Sequence, residues 1–475
     1  MRPTSYSSRS KASSGRTSFR MTPSQPRSPP LSRGGTTMTS ESVPPARRSR
    51  KEVLAAVIGA TVEGYDWVAY AVLAPYFAVS LFPGDDPVAQ VISAYLVFAV
   101  GFIVRPVGAV VMGRLADRRG RKFALVVSVA MMAFGSLMLA AVPAADLIGF
   151  WAAVLVVLAR CLQGVSISAE LPTATTYAIE TASPRRRYFA GSLVSSAAFL
   201  GHILVYGTLA ILVATIGSDG LEAGGWRIGF AVGALLGLVA VWIRRGVSES
   251  PVFEKAVKKQ RPRPWPILRA YRRQILAVML LAIGGTTGNY FLSVSLPVYL
   301  DHAGVIEKEA ASGHMSYLLV VLIAVSVAAG ALADRFGGLT MARTGTVFLA
   351  LATVPLTVLM ASGVLPFVPG VLLYILGYSL LLGPLPALLP LIFPPGVRVV
   401  AVAVPNTIAV LAAGGSLPAI VEALNAADLL DVVPWFIAAT ALLSLVGAFM
   451  IRARDLQRVD TETLALMRTD EVASW

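Results

Sequence analysis

One cysteine, Cys161, is all that this chain of 475 residues contains, so no intrachain disulfide can form and no metal cluster can be assembled from thiols. Its three histidines are too scattered to give a zinc or haem site by spacing. Charge is scarce as well: 14% of the residues are Asp, Glu, Lys or Arg, against about a quarter in a typical soluble domain. No catalytic constellation is visible, and the expectation is a protein without enzymatic activity, metal or cofactor.

What fills the chain instead is apolar: 56% of its residues are hydrophobic and its mean hydropathy is +0.71. Runs of about 20 apolar residues, enough for a helix to cross a hydrocarbon core, recur between short loops rich in Gly, Pro, Asp and Arg. Twelve can be laid out, at 53–81, 88–113, 123–142, 147–178, 188–216, 226–244, 274–300, 314–333, 340–361, 366–392, 398–424 and 431–452. The chain reads as an all-α integral membrane protein of twelve transmembrane helices, with the lipid bilayer as its medium.

A formal net charge of +14 would suggest nucleic acid in a soluble protein, but its distribution argues against that partner. Basic residues crowd alternate loops: before span 1, between spans 2 and 3 (Arg114, Arg118, Arg119, Arg121, Lys122), between 4 and 5 (Arg185, Arg186, Arg187), between 6 and 7, and after 12. The opposite loops carry Asp85, Asp86, Asp146, Asp219, Glu222, Asp301, Glu307, Asp428 and Asp431, with Arg227 and Lys308 as basic exceptions. This asymmetry predicts a multi-pass protein of the cell membrane with both termini in the cytoplasm.

Residues 1–50 are rich in Ser, Arg, Pro and Thr and too poor in large apolar residues to fold, which predicts a disordered basic tail. The tail lacks the apolar core of a secretory signal and resembles a transit peptide by composition alone. Met38 opens an ordinary lead-in to span 1 and is an alternative start to Met1. Beyond the tail, a six-helix bundle at 51–244 and another at 274–455 are separated by a basic, Pro-rich linker at 245–273, and a tail at 456–475 follows.

An internal echo supports that division: GRLADRRGRK (113–122) follows span 2, and GALADRFGG (330–338) follows span 8. Parallel repeats of this kind place a substrate site between the halves near the membrane midplane. In the loop itself, Asp117 can meet a helix N-terminus or an arginine, and Arg118 and Arg121 can grip acidic partners, as can Asp334 and Arg335 in the second copy. Such pairs hold a cytoplasmic gate shut in one reading and only anchor topology in the other.

The most informative residues lie in VEGYDWVAY (62–70), where Glu63 and Asp66 sit about mid-depth in span 1, three apart and so on one helical face. Ionised carboxylates in hydrocarbon cost several kcal/mol, about 2.5–3.5 on insertion scales, so acids there face a polar cavity, pair with a cation or carry protons. Arg160, about a dozen residues into span 4, cannot shed its charge and needs an anion opposite it, either one of these acids or a substrate carboxylate. Arg105, before Pro106 and nearer the cytoplasmic surface, reads as gate or packing. Arg187 belongs with the gate. Tyr65, Tyr70, Gln163, His202, Asn289 and Tyr290 are the substrate-binding candidates, the last two following the flexible GGTTG of span 7 (284–288).

These residues resemble the major facilitator superfamily, and more narrowly its metabolite:proton symporter family of permeases for alpha-ketoglutarate, citrate, shikimate and proline or betaine. The resemblance runs over 53–455 through VEGYDWVAY, FPGDDP (82–87), RPVGAVVMGRLADRRGRK (105–122), RCLQGVSISAE (160–170), IETASPRRR (179–187), GWRIGF (225–230) and RRGVSESPVF (244–253). It implies proton coupling at Arg160 with Gln163, and gate roles for Glu170, Glu180 and Glu249. The chain departs where the family shows Glu-Trp-Tyr-Asp-Phe: Gly64 replaces one aromatic and Trp67 enlarges another, so a reshaped pocket is expected.

The resulting expectation is a monomeric alternating-access transporter that takes up a small polar metabolite, an organic acid or zwitterion, together with protons through Glu63, Asp66 and Arg160. Three alternatives stay open: a proton-driven exporter, though span 5 lacks the proline such exporters carry there; energy-independent facilitation; and a sensor that binds without moving its ligand.

Overall fold

The computed structural model describes residues 50–166, 175, 178–179, 182–245, 269–393 and 398–456, apart from the side chains of 50–56, 116–117, 121–122, 184 and 399–400. The readings of the basic tail, the Met38 start, most of the linker and the C-terminal tail concern residues outside this set.

In chain order the helices are α1 (Arg50–Leu81), α2 (Pro87–Ile103), α3 (Arg105–Arg119), α4 (Arg121–Ala141), α5 (Ala145–Ile148), α6 (Trp151–Ser166), α7 (Arg187–Gly220) and α8 (Trp226–Arg245) in the first half. The second half holds α9 (Arg272–Tyr290), α10 (Leu296–His302), α11 (Lys308–Phe336), α12 (Gly338–Ala361), α13 (Phe367–Leu382), α14 (Leu385–Leu391), α15 (Arg398–Ala409), α16 (Leu417–Ala426) and α17 (Val432–Met450). Among the described residues nine continuous helical stretches are long and apolar enough to cross a bilayer; one of these, Arg187–Arg245, contains both α7 and α8, and α1 and α6 complete twelve spans.

Local chemistry places the breaks. Asp86 caps α2 by accepting the Val88 N–H at 3.0 Å, with Pro87 in the first turn, where its missing N–H costs nothing. Span 2 runs as one helical stretch from Pro87 to Leu115, loosened at Val104 because Pro106 has no N–H to donate into the turn before it, while Val104 itself keeps a helical backbone. Span 10, Phe367–Leu391, is loosened in the same way at Gly383 and Pro384. Span 4 starts at Trp151 rather than at 147, after the separate short α5. Spans 7 and 11 each contain a π-helical turn, Phe291–Ser295 and Val410–Gly414, a feature that concentrates at working sites.

The repeated loops share one backbone conformation. Gly120 and Gly337 hold the same place in the two copies, and their φ values are +91° and +92°, a region that side chains with a Cβ avoid.

The first half packs α1 against α7 and α8, and α4 against α8; the second packs α9 against α17 and α12 against α13 and α17. The halves meet along α7 with α11 and along α2 with α16. Around this interior, Trp151, Trp242 and Trp435 stand 67%, 76% and 63% exposed, which in a bilayer is contact with lipid rather than water.

Gly64 governs the tightest of these seams. A Cβ there would run into the Ala198 carbonyl of α7, and one at Gly201 would run into the backbone of Thr61 and Tyr65. The Thr61 hydroxyl donates across the same seam to Ala197 O at 3.1 Å. Small residues that bring two backbones together are the usual glue between membrane helices. The aromatic missing at Gly64 therefore changes helix packing, not the pocket, which corrects the expectation drawn from the sequence.

Candidate functional site between the two halves

Trp67 on α1 is the centre of the arrangement. The Arg160 guanidinium of α6 stands 4.2 Å from its ring centroid, and that of Arg105, at the start of α3, stands 4.3 Å away. Arg160 also lies over Tyr70 at 4.5 Å and near Phe98 at 5.1 Å, while Arg105 lies over Phe102 at 4.5 Å. Each such contact in a dry site contributes about 2 kcal/mol. The indole Nε1–H donates to the Tyr290 hydroxyl of α9 at 2.7 Å, and Tyr290 packs edge-on against Phe98 and Phe102. An aromatic cluster thus closes the space between the halves around two cations.

Arg160 is fully buried, yet it has little to bond with. Its Nη1–H donates to Gln163 Oε1 at 2.8 Å, and Gln163 in turn donates to the Ser136 hydroxyl of α4 at 3.2 Å. Its Nε and Nη2 have no hydrogen-bond partner among the described residues, nor does the buried Nε of Arg105. Asp66, 2% exposed, lies within electrostatic reach of Arg160 but makes no hydrogen bond with it, and its Oδ2 is likewise without a partner among the described residues. Glu63 is buried less deeply and lies within electrostatic reach of Arg105 and Tyr290. Two acids therefore offset two guanidiniums, and Asp66 does so without being locked to Arg160, an arrangement that an incoming proton or carboxylate can unbalance.

The structure regroups the candidate residues in three places. Arg105, assigned to the gate, belongs to the central cluster, because its guanidinium lies over the Trp67 and Phe102 rings. Tyr65, read as lining the pocket, donates to Gly229 O of α8 at 2.8 Å and is committed inside the first half. Tyr70 donates to Ala94 O at 3.0 Å and offers its ring, not its hydroxyl, to the site. His202 is 6% exposed, packs edge-on against Phe199 at 4.9 Å, and its Nδ1 has no partner among the described residues. Asn289 accepts from Ser293 at 3.4 Å.

At the end where α1 begins and α17 finishes, Asp334 takes the backbone N–H groups of Tyr188 and Phe189, both at 2.9 Å. The second-copy loop thereby caps α7 of the other half, as expected of an acid at a helix N-terminus. Arg187 is half-buried at the start of α7, and Arg118 is exposed at the end of α3. Arg335 does not join them: it is exposed over Phe336 at 5.5 Å. Glu170, Glu180 and Glu249, and the side chains of Asp117 and Arg121, fall outside the described residues.

At the opposite end the halves are tied by residues that the sequence reading passed over. Tyr76 of α1 donates to Glu309 Oε1 of α11 at 2.9 Å, and Lys308 caps the same ring at 4.7 Å. Tyr206 of α7 donates to Ser293 O. Also missed was Glu422, an acid inside span 11 that the rule applied to Glu63 would have found; it pairs with His302. No cluster of three or more potential metal ligands occurs among the described residues.

Comparison with known proteins places this geometry. Residues 56–417 match the Major Facilitator Superfamily. The chain is 30% identical over 427 residues to the alpha-ketoglutarate permease of Escherichia coli strain K12, covering 88% of this chain and 98% of that protein. It is 32% identical over 377 residues to a putative proline/betaine transporter of Staphylococcus haemolyticus strain JCSC1435, covering 78% and 80%. Among solved structures, a D-xylose-proton symporter superposes with a TM-score of 0.68 at 19% identity, covering 85% of this chain and 97% of that one. A partially occluded, inward-open form of the xylose transporter XylE from E. coli gives 0.67 at 18%, covering 83% and 96%. These two likenesses show the fold.

Proposed function

The chain belongs to the major facilitator superfamily, and from that premise we propose that this multi-pass membrane transporter couples protons to the uptake of a small organic acid or zwitterion by alternating access. The basic loops favour placing both termini in the cytoplasm, so that Asp334 seals the inner end and Tyr76 with Glu309 the outer end.

One observation carries the reading: Arg160 and Arg105 converge on Trp67 between the halves with N–H groups to spare, while Asp66 stands near Arg160 without a hydrogen bond from it and Glu63 lies within reach of Arg105. The four charges sum to zero. A proton on Asp66 leaves Arg160 uncompensated in a low-dielectric site, and a substrate carboxylate restores the balance through charge-assisted bonds to the free N–H groups. Proton and substrate each favour the other's binding, which is coupling in the thermodynamic sense. The arginines favour an acid over a purely cationic substrate.

The driving force is adequate. One positive charge moving inward through about 100 mV gains about 2.3 kcal/mol, and each pH unit adds about 1.4 kcal/mol. The test is uptake into proteoliposomes of alpha-ketoglutarate, other small carboxylates, proline and betaine under an imposed inward proton gradient. Accumulation of a carboxylate or zwitterion that collapses with a protonophore is the expected result. Uptake indifferent to the gradient would leave facilitation, outward movement of dyes would indicate export, and binding without flux would indicate a sensor.

A further inference from the structure

Two polar side chains near the central cluster keep hydrogen-bonding capacity that the described residues do not use. His202 is buried, and its Nδ1 has no partner among them. Asn289 makes one side-chain contact there, with the Ser293 hydroxyl at 3.4 Å, close to the outer limit of a hydrogen bond. A polar atom buried without a bond is costly and calls for a reason.

Helical geometry fixes where each one points. On α7, Leu193, Leu200, Leu204 and Ile211 form an exposed, lipid-facing stripe, and at about 100° per residue His202 lies on the opposite side of the helix. Its neighbours mark two seams: Gly201 meets α1, and Tyr206, one turn further out, donates to Ser293 O of the other half. On span 7, Gly284 faces α17, Gly288 faces Tyr378 of α13, and Tyr290 lies against Gly414 of span 11 while bonding Trp67. Asn289 is left directed between α13 and span 11, toward the gap between the halves. Both helices run outward from one end, since Asp334 caps the start of α7 and Arg273, at the start of span 7, donates to Met450 O where α17 finishes. His202 and Asn289 therefore each lie four residues, about 6 Å, inward of the Tyr206 to Ser293 bond. That is the height of Tyr290 and of the arginines around Trp67.

The chemistry of this pair differs from that of the arginines. An imidazole and a carboxamide each donate and accept hydrogen bonds. Among the described residues no charged side chain lies within electrostatic reach of His202. A full charge placed here would stay uncompensated in a dry site. The ligand group that fits is a neutral oxygen.

Resting on the reading of Arg160 and Arg105 as the carboxylate site, we propose that His202 and Asn289 are the second pole of that site and take a neutral hydrogen-bonding oxygen of the substrate. The substrate is then an oxo- or hydroxycarboxylate. Betaine, whose trimethylammonium end neither donates nor accepts, leaves both side chains unsatisfied and is rejected, as sites built to bond a polar group reject analogues that lack it.

The test is equilibrium binding to the purified full chain in detergent, read by titration calorimetry with matched probes: alpha-ketoglutarate against glutarate, and lactate against propionate. The first of each pair carries the oxygen and the second does not. In at least one pair the wild type is expected to bind the first about tenfold or more tightly, the scale of one hydrogen bond in a dry site, and betaine at least tenfold more weakly than alpha-ketoglutarate. His202→Ala combined with Asn289→Ala should shrink that preference to about twofold while affinity for the parent acid holds, a split that loosened packing would not give. Equal affinity within both pairs in the wild type, betaine binding as tightly as alpha-ketoglutarate, a preference that survives the double variant, or equal losses for both members of a pair overturns the proposal and leaves the arginines as the carboxylate site. Should the double variant fail to fold, Asn289→Ala alone is expected to cut the preference at least threefold, and an unchanged preference there overturns it too. If none of these acids binds, the carboxylate reading falls and takes this one with it. Binding needs no gradient, so a failure of proton coupling would show in the proteoliposome assay alone.

Discussion

Trp67 and Tyr290 share a 2.7 Å hydrogen bond that crosses from one half of the molecule to the other at the level where two arginines converge on the indole. That bond must break whenever the halves rock apart, so Trp67 is both the seat of the cations and part of the closure. Trp67→Phe keeps an aromatic face for the guanidiniums and loses the donor, a loss of about 1 kcal/mol; a change of a few-fold in uptake rate is expected. Trp67→Ala removes both contacts, and a fall of tenfold or more is expected from the cation–π terms of about 1–2 kcal/mol. Initial rates across substrate concentrations in proteoliposomes distinguish the two, and equal losses for Phe and Ala would show that the ring itself contributes nothing.

Arg160 depends on Gln163 for its one hydrogen bond among the described residues. Gln163→Leu frees the guanidinium from α4 and is expected to raise KM about tenfold with little change in maximal rate, since a hydrogen bond to a charged group contributes about 1.5–3 kcal/mol. Arg160→Lys is expected to abolish uptake, because an ammonium cannot reach Gln163, Trp67 and Tyr70 together. Full activity of Arg160→Lys would remove the planar guanidinium from the account.

The seam between α1 and α7 should behave as a packing constraint. Gly64→Ala and Gly201→Ala each force a methyl into the opposing backbone, a cost of about 1–3 kcal/mol, read as a lowered melting temperature in detergent. The two sites face each other, so the double variant should lose less than the sum of the single losses. Unchanged melting of Gly64→Ala would return that residue to the pocket.

Asp334 and Tyr76 tie opposite ends, so their variants should bias the protein in opposite directions. Asp334→Asn weakens the two bonds to Tyr188 and Phe189 and should increase labelling, from the terminus-bearing side, of a cysteine placed near the start of α7. Tyr76→Phe removes the bond to Glu309 and should increase labelling from the other side. A shift in the same direction for both would mean that these contacts do not belong to alternating gates.

Much of this is legible in the chain alone. Glu63, Asp66 and Arg160 stand out because charges inside apolar runs need a reason, and the twelve spans, the two halves and the repeated Asp-Arg loops follow from hydropathy and self-similarity. What escapes such a reading is set by tertiary geometry. Arg105 reads as a gate residue by its depth along span 2, and only the packing of Trp67 and Phe102 around its guanidinium places it in the central cluster. Gly64 reads as a vacancy in a pocket until Ala198 is seen against it. His302 and Glu422 are 120 positions apart, and Tyr76 and Glu309 are 233 apart, so no local pattern joins either pair.

The central claim is that Asp66 exchanges a proton while Arg160 waits for a carboxylate. Asp66→Asn, reconstituted in proteoliposomes, tests it most directly through two assays on one preparation: accumulation driven by a proton gradient, and exchange of labelled for unlabelled substrate without a gradient. The account predicts that accumulation is lost and exchange survives, because the neutral side chain mimics the protonated state that admits substrate. Accumulation at the wild-type level in Asp66→Asn would contradict it.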